Sequence, residues 1–131
     1  MIYLAVNDEK LILVHQIAED YKIPKYYLAK IVQTLSKHNL IKSTRGRNGG
    51  IQLSKPAGEI KILDIIHAIN GPPGDSEMCI FGLDICSDLV PCPVHEVWKS
   101  MKADINDKLI HQNLESLAKE VHRKHELLNK I

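Results

Sequence analysis

The sequence lacks the features that mark several common classes of protein. It has no run of about 18 apolar residues, the length that a membrane-spanning helix needs. The apolar start, Met1 to Val6, is too short for a secretory signal and has no basic flank. No pairing of a nucleophile with a base stands out, and the glycines of residues 46–50 open no phosphate-binding helix. We therefore expect a cytoplasmic protein that has no membrane partner and is not an enzyme.

Acidic residues are absent from one long stretch of the chain. Between Tyr21 and Gly58 there is no Asp or Glu, and this acid-free segment holds eight of the seventeen Lys and Arg residues. The other nine basic residues accompany all sixteen acids, so a cationic segment is joined to an anionic remainder. Most charge runs are solvated surfaces, but one of this length without an acid predicts a polyanionic partner such as double-stranded DNA.

The length of 131 residues allows one domain, or a small domain with an appendage. We predict a mainly α-helical fold with one small β-hairpin, made of a winged helix-turn-helix, a cysteine loop and a long C-terminal dimerisation helix. The predicted division is residues 1–71 for the winged helix-turn-helix, 72–92 for the cysteine loop and 93–131 for the dimerisation and C-terminal helices. The opening helix has no capping residue before it, so we expect it to lack its natural start.

Two helices joined by a tight turn are predicted around the start of the acid-free segment. The first runs from His15 to Tyr21, and the second runs from Pro24 to about His38, where Asn39 can close it in the left-handed conformation. This pattern is typical of a helix-turn-helix, which places its second helix in the major groove of DNA. The outward residues that we expect to contact DNA are Lys25, Tyr26, Lys30 and Gln33.

A hairpin with an arginine-rich and glycine-rich tip is predicted next. Its strands are Leu40–Thr44 and Ile51–Leu53, and its tip includes Arg45 and Arg47. Such a tip predicts a wing, because glycines allow a close approach to a duplex and the arginines can reach phosphates or a narrow minor groove. An ordinary polar hairpin is the alternative. Upstream, the apolar run Leu11–Val14 predicts a further short strand.

Three more helices are predicted in the second half of the chain, at Leu63–Asn70, from Pro93 onward, and around Leu114–Val121. The middle one carries an apolar stripe that is long enough for a dimer interface, and packing against the protein's own core is the alternative. The stripe consists of Val94, Val97, Trp98, Met101, Ile105 and Leu109. Residues 74–91 have the composition of a loop.

This loop contains Cys79 and Cys86, the third cysteine, Cys92, directly follows it, and His95 lies three residues beyond Cys92. An odd number of cysteines in a reducing compartment favours metal ligands or redox groups over disulfides. Structural zinc sites usually contain Cys-x-x-Cys pairs, which this chain lacks, whereas iron-sulfur clusters accept looser spacing and sometimes imidazole. An iron-sulfur cluster is therefore the leading hypothesis, with zinc and inert thiols as alternatives.

Three stretches in one order carry a family resemblance. They are Arg45–Gly50 followed by Leu53 and Pro56, then Ile62–Gly71, then the sequence from Cys92 to Trp98. Together they resemble the IscR/NsrR family of bacterial winged-helix transcription regulators, over nearly the whole chain. The resemblance implies a homodimer that binds pseudo-palindromic DNA and one iron-sulfur cluster per subunit, with His95 matching a histidine ligand. We favour a 2Fe-2S cluster over 4Fe-4S.

The hypothesis is thus a transcriptional regulator, expected to be a repressor, that senses cluster supply, nitric oxide or redox state. One rival is a winged-helix module that binds a partner protein and has a structural zinc or an empty thiol loop. Another is an electron-transfer protein. Neither rival needs a long basic segment without acids, so the charge distribution favours the regulator.

Overall fold

A computed structural model of the chain describes residues 1–71, 79, 81 and 86–128. It contains α1 (Ile2–Val6), α2 (Val14–Asp20), α3 (Lys25–Lys37), β1 (Ile41–Thr44), β2 (Gly50–Leu53), a single 3₁₀ turn (Ala57–Glu59), α4 (Ile62–Asn70), α5 (His95–Leu109) and α6 (Leu114–Leu128). The predicted class, mainly α with one hairpin, is confirmed. Most of the predicted loop at 74–91 lies outside the described residues. None of the helices in the described ranges has the length and hydropathy that a membrane span requires.

Helices α2 and α3 form the predicted helix-turn-helix, and both end in the same kind of cap. After α3, Asn39 has φ 56°, and the N–H of Leu40 donates to the carbonyl of Leu35 at 3.0 Å. This bond satisfies a carbonyl that the end of the helix would otherwise leave unpaired. The prediction that Asn39 closes the helix in the left-handed conformation is therefore confirmed. Helix α2 ends in the same way, with Lys22 at φ 53°.

The hairpin pairs β1 with β2 in antiparallel register, with Ile41 opposite Leu53. The strand that we predicted at residues 11–14 is wrong except at Ile12, which forms an isolated bridge with Ile51. The cause is that helix α2 already begins at residue 14, and a short apolar run does not by itself distinguish a strand from the start of a helix. The bridge nevertheless ties the segment before α2 to the hairpin.

The core of the winged helix includes the start of the last helix. Ile60 and Leu114 are both fully buried, at 0% exposure, and the N–H of Leu114 donates to the carbonyl of Ile60 at 2.8 Å. Asn113 accepts a hydrogen bond from the N–H of Ser116 at 2.9 Å and so caps α6. Helix α6 then packs on α1. The three-part division remains a prediction, but the packing joins α6 to the elements of residues 1–71.

Helix α5 lies outside this core. Its most extensive contact with another element of the described chain is with α4. Three residues of its apolar stripe are open to solvent: Val97 is 61% exposed, and Met101 and Ile105 are each 50% exposed. The alternative that the whole stripe packs against the protein's own core is therefore wrong for these three residues. A surface of this kind is available to a second chain.

Candidate metal centre and nucleic-acid interface

The four predicted metal ligands form two contacting pairs near the start of α5. The Sγ of Cys86 lies 3.1 Å from Nδ1 of His95. The Sγ of Cys79 lies 3.8 Å from the Sγ of Cys92. The turn at the helix start connects the pairs, because the N–H of His95 donates to the carbonyl of Cys92 at 3.0 Å. Among the described residues, the ligand atoms that all lie within 4.8 Å of one another belong to Asp88, His95 and Glu96, so the two pairs do not form one compact group of four ligand atoms.

Burial differs among these four side chains in a way that suits a bound metal group. Cys79 and His95 are buried, at 6% and 4% exposure, while Cys86 and Cys92 are half-buried. A cavity of about 420 Å³ opens beside Cys86 and His95. Thiolates and imidazole are ligands that suit both iron-sulfur clusters and zinc. The donor set therefore fits an iron-sulfur cluster by its chemistry, with open access on one side.

An acid that the sequence analysis missed completes the surroundings of His95. Asp88 accepts from Nε2 of His95 at 2.8 Å, and Nζ of Lys99 lies 2.8 and 3.0 Å from the two oxygens of the same carboxylate. The hydrogen bond from Lys99 lowers the pKa of Asp88, with a smaller contribution from His95, and Asp88 in turn raises the pKa of Lys99. The sequence could have indicated Asp88 as part of the site, because it lies between the candidate ligands Cys86 and Cys92.

Trp98 has a buried donor one turn beyond His95. Its indole N–H has no hydrogen-bond partner among the described residues, although the ring itself is only half-buried. A buried polar group without a partner costs about 1–3 kcal/mol. The sulfurs of iron-sulfur clusters accept hydrogen bonds, so this donor is compatible with such a group near the start of α5.

The outward face of α3 presents the four residues that we predicted to contact DNA. Lys25, Tyr26, Lys30 and Gln33 are all exposed, and Tyr26 reaches 72% exposure. Three of them, at positions 26, 30 and 33, share one helical face. Lys25 also lies 3.5 Å from Glu19 in an exposed ion pair. Such pairs are weak in water, so a phosphate can compete for this lysine.

The hairpin tip holds both predicted wing arginines in the open, where Arg45 and Arg47 are exposed. Gly46 has φ 110°, a conformation that side chains rarely adopt, and its carbonyl accepts the N–H of Gly49 at 3.0 Å. At the base of the tip a Cβ on Gly50 would lie 2.9 Å from the carbonyl oxygen of Ile12. The glycines therefore shape the tip and let it pack closely on the segment before α2.

Known proteins share this architecture over most of its length. An HTH-type transcriptional regulator from Aquifex aeolicus is 39% identical over 107 residues, which is 80% of this chain and 74% of that protein. The structure of CymR, the global cysteine regulator of B. subtilis, is similar with a TM-score of 0.71 and 28% identity, covering 91% of this chain and 87% of that one. T. potens IscR is similar with a TM-score of 0.69 and 26% identity, covering 92% and 78%.

The family match extends over the winged helix, the cysteine region and α5. Residues 1–120 match the family described as Rrf2, iron-dependent transcriptional regulator. This match confirms the resemblance to the IscR/NsrR regulators, and a family of transcriptional regulators agrees with the prediction that the chain is not an enzyme. The chain therefore belongs to the Rrf2 family of winged-helix, DNA-binding transcriptional regulators.

Proposed function

We propose that this regulator binds an iron-sulfur cluster through Cys79, Cys86, Cys92 and His95, and that the state of the cluster alters its affinity for DNA. The observation that carries the proposal is the arrangement of these four side chains as two contacting pairs near the start of α5. The description of the family as iron-dependent supports it. We favour a 2Fe-2S cluster over 4Fe-4S, and repression over activation.

The four side chains have complementary roles in this proposal. The three cysteines supply the thiolates that iron-sulfur clusters require, and His95 supplies an imidazole that is already shielded from water. When bound, such a cluster supplies the sensitivity to oxygen, nitric oxide and iron supply that the side chains alone lack. Ligation would hold the segment from Cys86 to Cys92 against the start of α5.

The DNA-contacting surface in this proposal is α3 together with the wing. Tyr26, Lys30 and Gln33 would face base edges in the major groove, with Lys25 at the phosphates. Arg45 and Arg47 would reach phosphates or the minor groove beside it. The absence of acids from residues 21–58 supports this assignment, because no carboxylate of the segment would repel a phosphate.

A homodimer would connect the metal centre to DNA. The exposed stripe at Val97, Met101 and Ile105 would pack against the same stripe of a second copy, and the dimer would bind a pseudo-palindromic operator. Half-sites on DNA demand a fixed spacing of the two recognition helices. Holding the segment from Cys86 to Cys92 against α5 would change that spacing, and a coupling of roughly 1–3 kcal/mol changes affinity by about 5- to 150-fold.

The metal content of the protein tests the first part of this proposal. Protein purified without oxygen is expected to contain iron and acid-labile sulfide and to absorb visible light. The matched control is Cys92→Ser, which should lose the absorption and most of the iron. Stoichiometric zinc without sulfide in the wild-type protein would refute the cluster and support a structural metal instead.

DNA binding tests the proposed contact surface on α3 and the wing. The probe is a duplex that is first selected from a pool of random sequences by its affinity for the protein. Arg47→Ala should weaken binding and reduce the slope of log affinity against log salt by about 1, because one phosphate contact is lost. Arg123→Ala is the control, since Arg123 lies on α6 and pairs with Glu120 at 2.7 Å. Equal slopes for Arg47→Ala and the wild type would remove the wing from the interface.

A second candidate is a regulator of this fold that responds without a cluster. The similarity to the global cysteine regulator of B. subtilis favours it. The two candidates differ in one measurement, the affinity of protein with and without bound iron and sulfide for the selected duplex. Equal affinity of both forms would refute cluster sensing even if the cluster binds.

A further inference from the structure

Both ring nitrogens of the buried His95 are engaged, and by different kinds of group. Nε2 lies 2.8 Å from the carboxylate of Asp88, and Nδ1 lies 3.1 Å from the sulfur of Cys86. A carboxylate only accepts hydrogen bonds, whereas a neutral imidazole carries one N–H and one lone pair. In a neutral ring the proton therefore belongs on Nε2, and the lone pair of Nδ1 points toward the sulfur of Cys86.

Asp88 is held in place from two directions although its side chain is 69% exposed. Nζ of Lys99 contacts both of its oxygens, and Lys99 lies one turn beyond His95 on α5. From the other side, Oγ of Ser87 accepts the backbone N–H groups of Leu89 and Val90 at 3.1 and 3.4 Å, which shapes the turn that carries Asp88. The carboxylate is thus directed at His95 by the helix and by the turn.

This arrangement has the form of a metal ligand with its supporting carboxylate. A histidine that binds a metal nearly always donates its other N–H to a carboxylate, a carbonyl or water, which fixes the orientation of the ring. Loss of such a partner typically lowers metal affinity about 10- to 100-fold. Here the supporting carboxylate comes from the segment between two of the proposed cysteine ligands, so it also ties that segment to α5.

We propose that Asp88, held by Lys99, is a positioning residue that makes Nδ1 of His95 the nitrogen that binds iron. The inference rests on the proposed function, because it concerns the same four ligands. Asp88 touches neither iron nor sulfide in this proposal. It acts through His95, by keeping the proton on Nε2 and the ring in one orientation.

The first test needs no cluster and uses the reduced, cluster-free full chain. Long-range proton–nitrogen NMR correlations of the His95 ring are expected to show the proton on Nε2 in the wild type. Asp88→Ala should shift the ring toward a mixture of the two tautomers, and Asp88→Glu should restore the wild-type pattern at least in part. A proton on Nδ1 in the wild type would overturn the proposal.

The second test measures how fast a chelator removes iron from anaerobically reconstituted protein. Asp88→Ala should lose iron about 10- to 100-fold faster than the wild type, and Lys99→Met should show a smaller effect in the same direction. Asp104→Ala is the matched control, because Asp104 is an exposed acid on α5 and should leave the rate unchanged. The paramagnetic resonance spectrum of the reduced cluster should change in Asp88→Ala and not in Asp104→Ala.

The outcomes separate this inference from the proposed function. If the wild type holds iron and sulfide but Asp88→Ala behaves like Asp104→Ala, the cluster proposal stands and the role of Asp88 is refuted. If the wild type takes up no iron and sulfide under these conditions, both are refuted. A faster loss in Asp88→Ala together with a shifted tautomer supports the inference.

Discussion

Two regions of this protein differ in how completely they bury their apolar side chains. The winged-helix core, residues 1–71 together with α6, buries Ile60 and Leu114 completely within one continuous apolar cluster. The cysteine region, residues 86–109 with Cys79, leaves Leu89 93% and Val90 81% exposed. Its best-buried described side chains are Cys79, which contacts the sulfur of Cys92, and His95, which contacts the carboxylate of Asp88.

Under the proposed function, this difference would allow one small chain to combine a stable DNA-binding unit with a responsive region. Burial of apolar surface supplies most folding free energy and hardly depends on redox state or metal supply. Contacts among thiols, an imidazole and a carboxylate depend on both. Segments that move in regulation are drawn from the less stable parts of a fold, and the proposed function would place the cysteine region among them.

The largest loss of stability is expected from a cavity in the core where α6 packs against residues 1–71. Leu114→Ala should lower the free energy of unfolding by about 2–5 kcal/mol, because it removes a fully buried side chain and leaves a cavity. Chemical denaturation followed by circular dichroism measures the loss. Leu127→Ala, on the same helix at a position that is 53% exposed, is the control and should cost much less.

The next effect is expected on association of the cysteine region with a second copy. Met101→Asp should weaken the dimer by about 2 kcal/mol or more, since it places a charge in the proposed apolar interface. Analytical ultracentrifugation measures the dimer fraction. Ala103→Asp introduces the same charge on a different face of α5, and equal loss of dimer in both variants would argue against the stripe as the interface.

A smaller effect is expected at the edge of the core, where the hydroxyl of Tyr3 donates to Asp20 at 2.7 Å. This hydrogen bond raises the pKa of Tyr3 above its ordinary value near 10. A raised pKa means that the stabilisation is complete below about pH 10 and is lost as the pH rises through the shifted value. Because a single exposed hydrogen bond contributes little, Tyr3→Phe should lower the free energy of unfolding by less than about 1 kcal/mol at pH 7. Urea denaturation should show this cost shrinking above pH 10.

The smallest effect on the core is expected from the cysteine region itself. In cluster-free protein, Cys92→Ser should change the free energy of unfolding of the winged-helix core by no more than about 0.5 kcal/mol, because Cys92 lies outside the apolar cluster. Thermal unfolding followed by circular dichroism tests this. A large loss of stability in the cluster-free variant would mean that the two regions fold as one unit.

Sequence patterns were sufficient for features that depend on neighbouring residues. The left-handed cap at Asn39 was predictable, because asparagine adopts that conformation at lower cost than most residues. A helix after Cys92 was predictable from Pro93 and the apolar spacing behind it, but the predicted start at Pro93 is wrong, because α5 begins at His95. The exposed positions of α3 followed from helical periodicity in the same way.

What the sequence by itself determined is the order and type of the helices, the acid-free segment and the set of candidate soft ligands, since each rests on local spacing or composition. The tertiary structure decided which groups meet: Cys86 with His95, Cys79 with Cys92, Asp88 with Lys99, and α6 with α1. It also decided that Ile12 pairs with Ile51 rather than forming a longer strand. These contacts join residues that are distant in the chain or lie on different elements, and their geometry depends on the packing of whole elements.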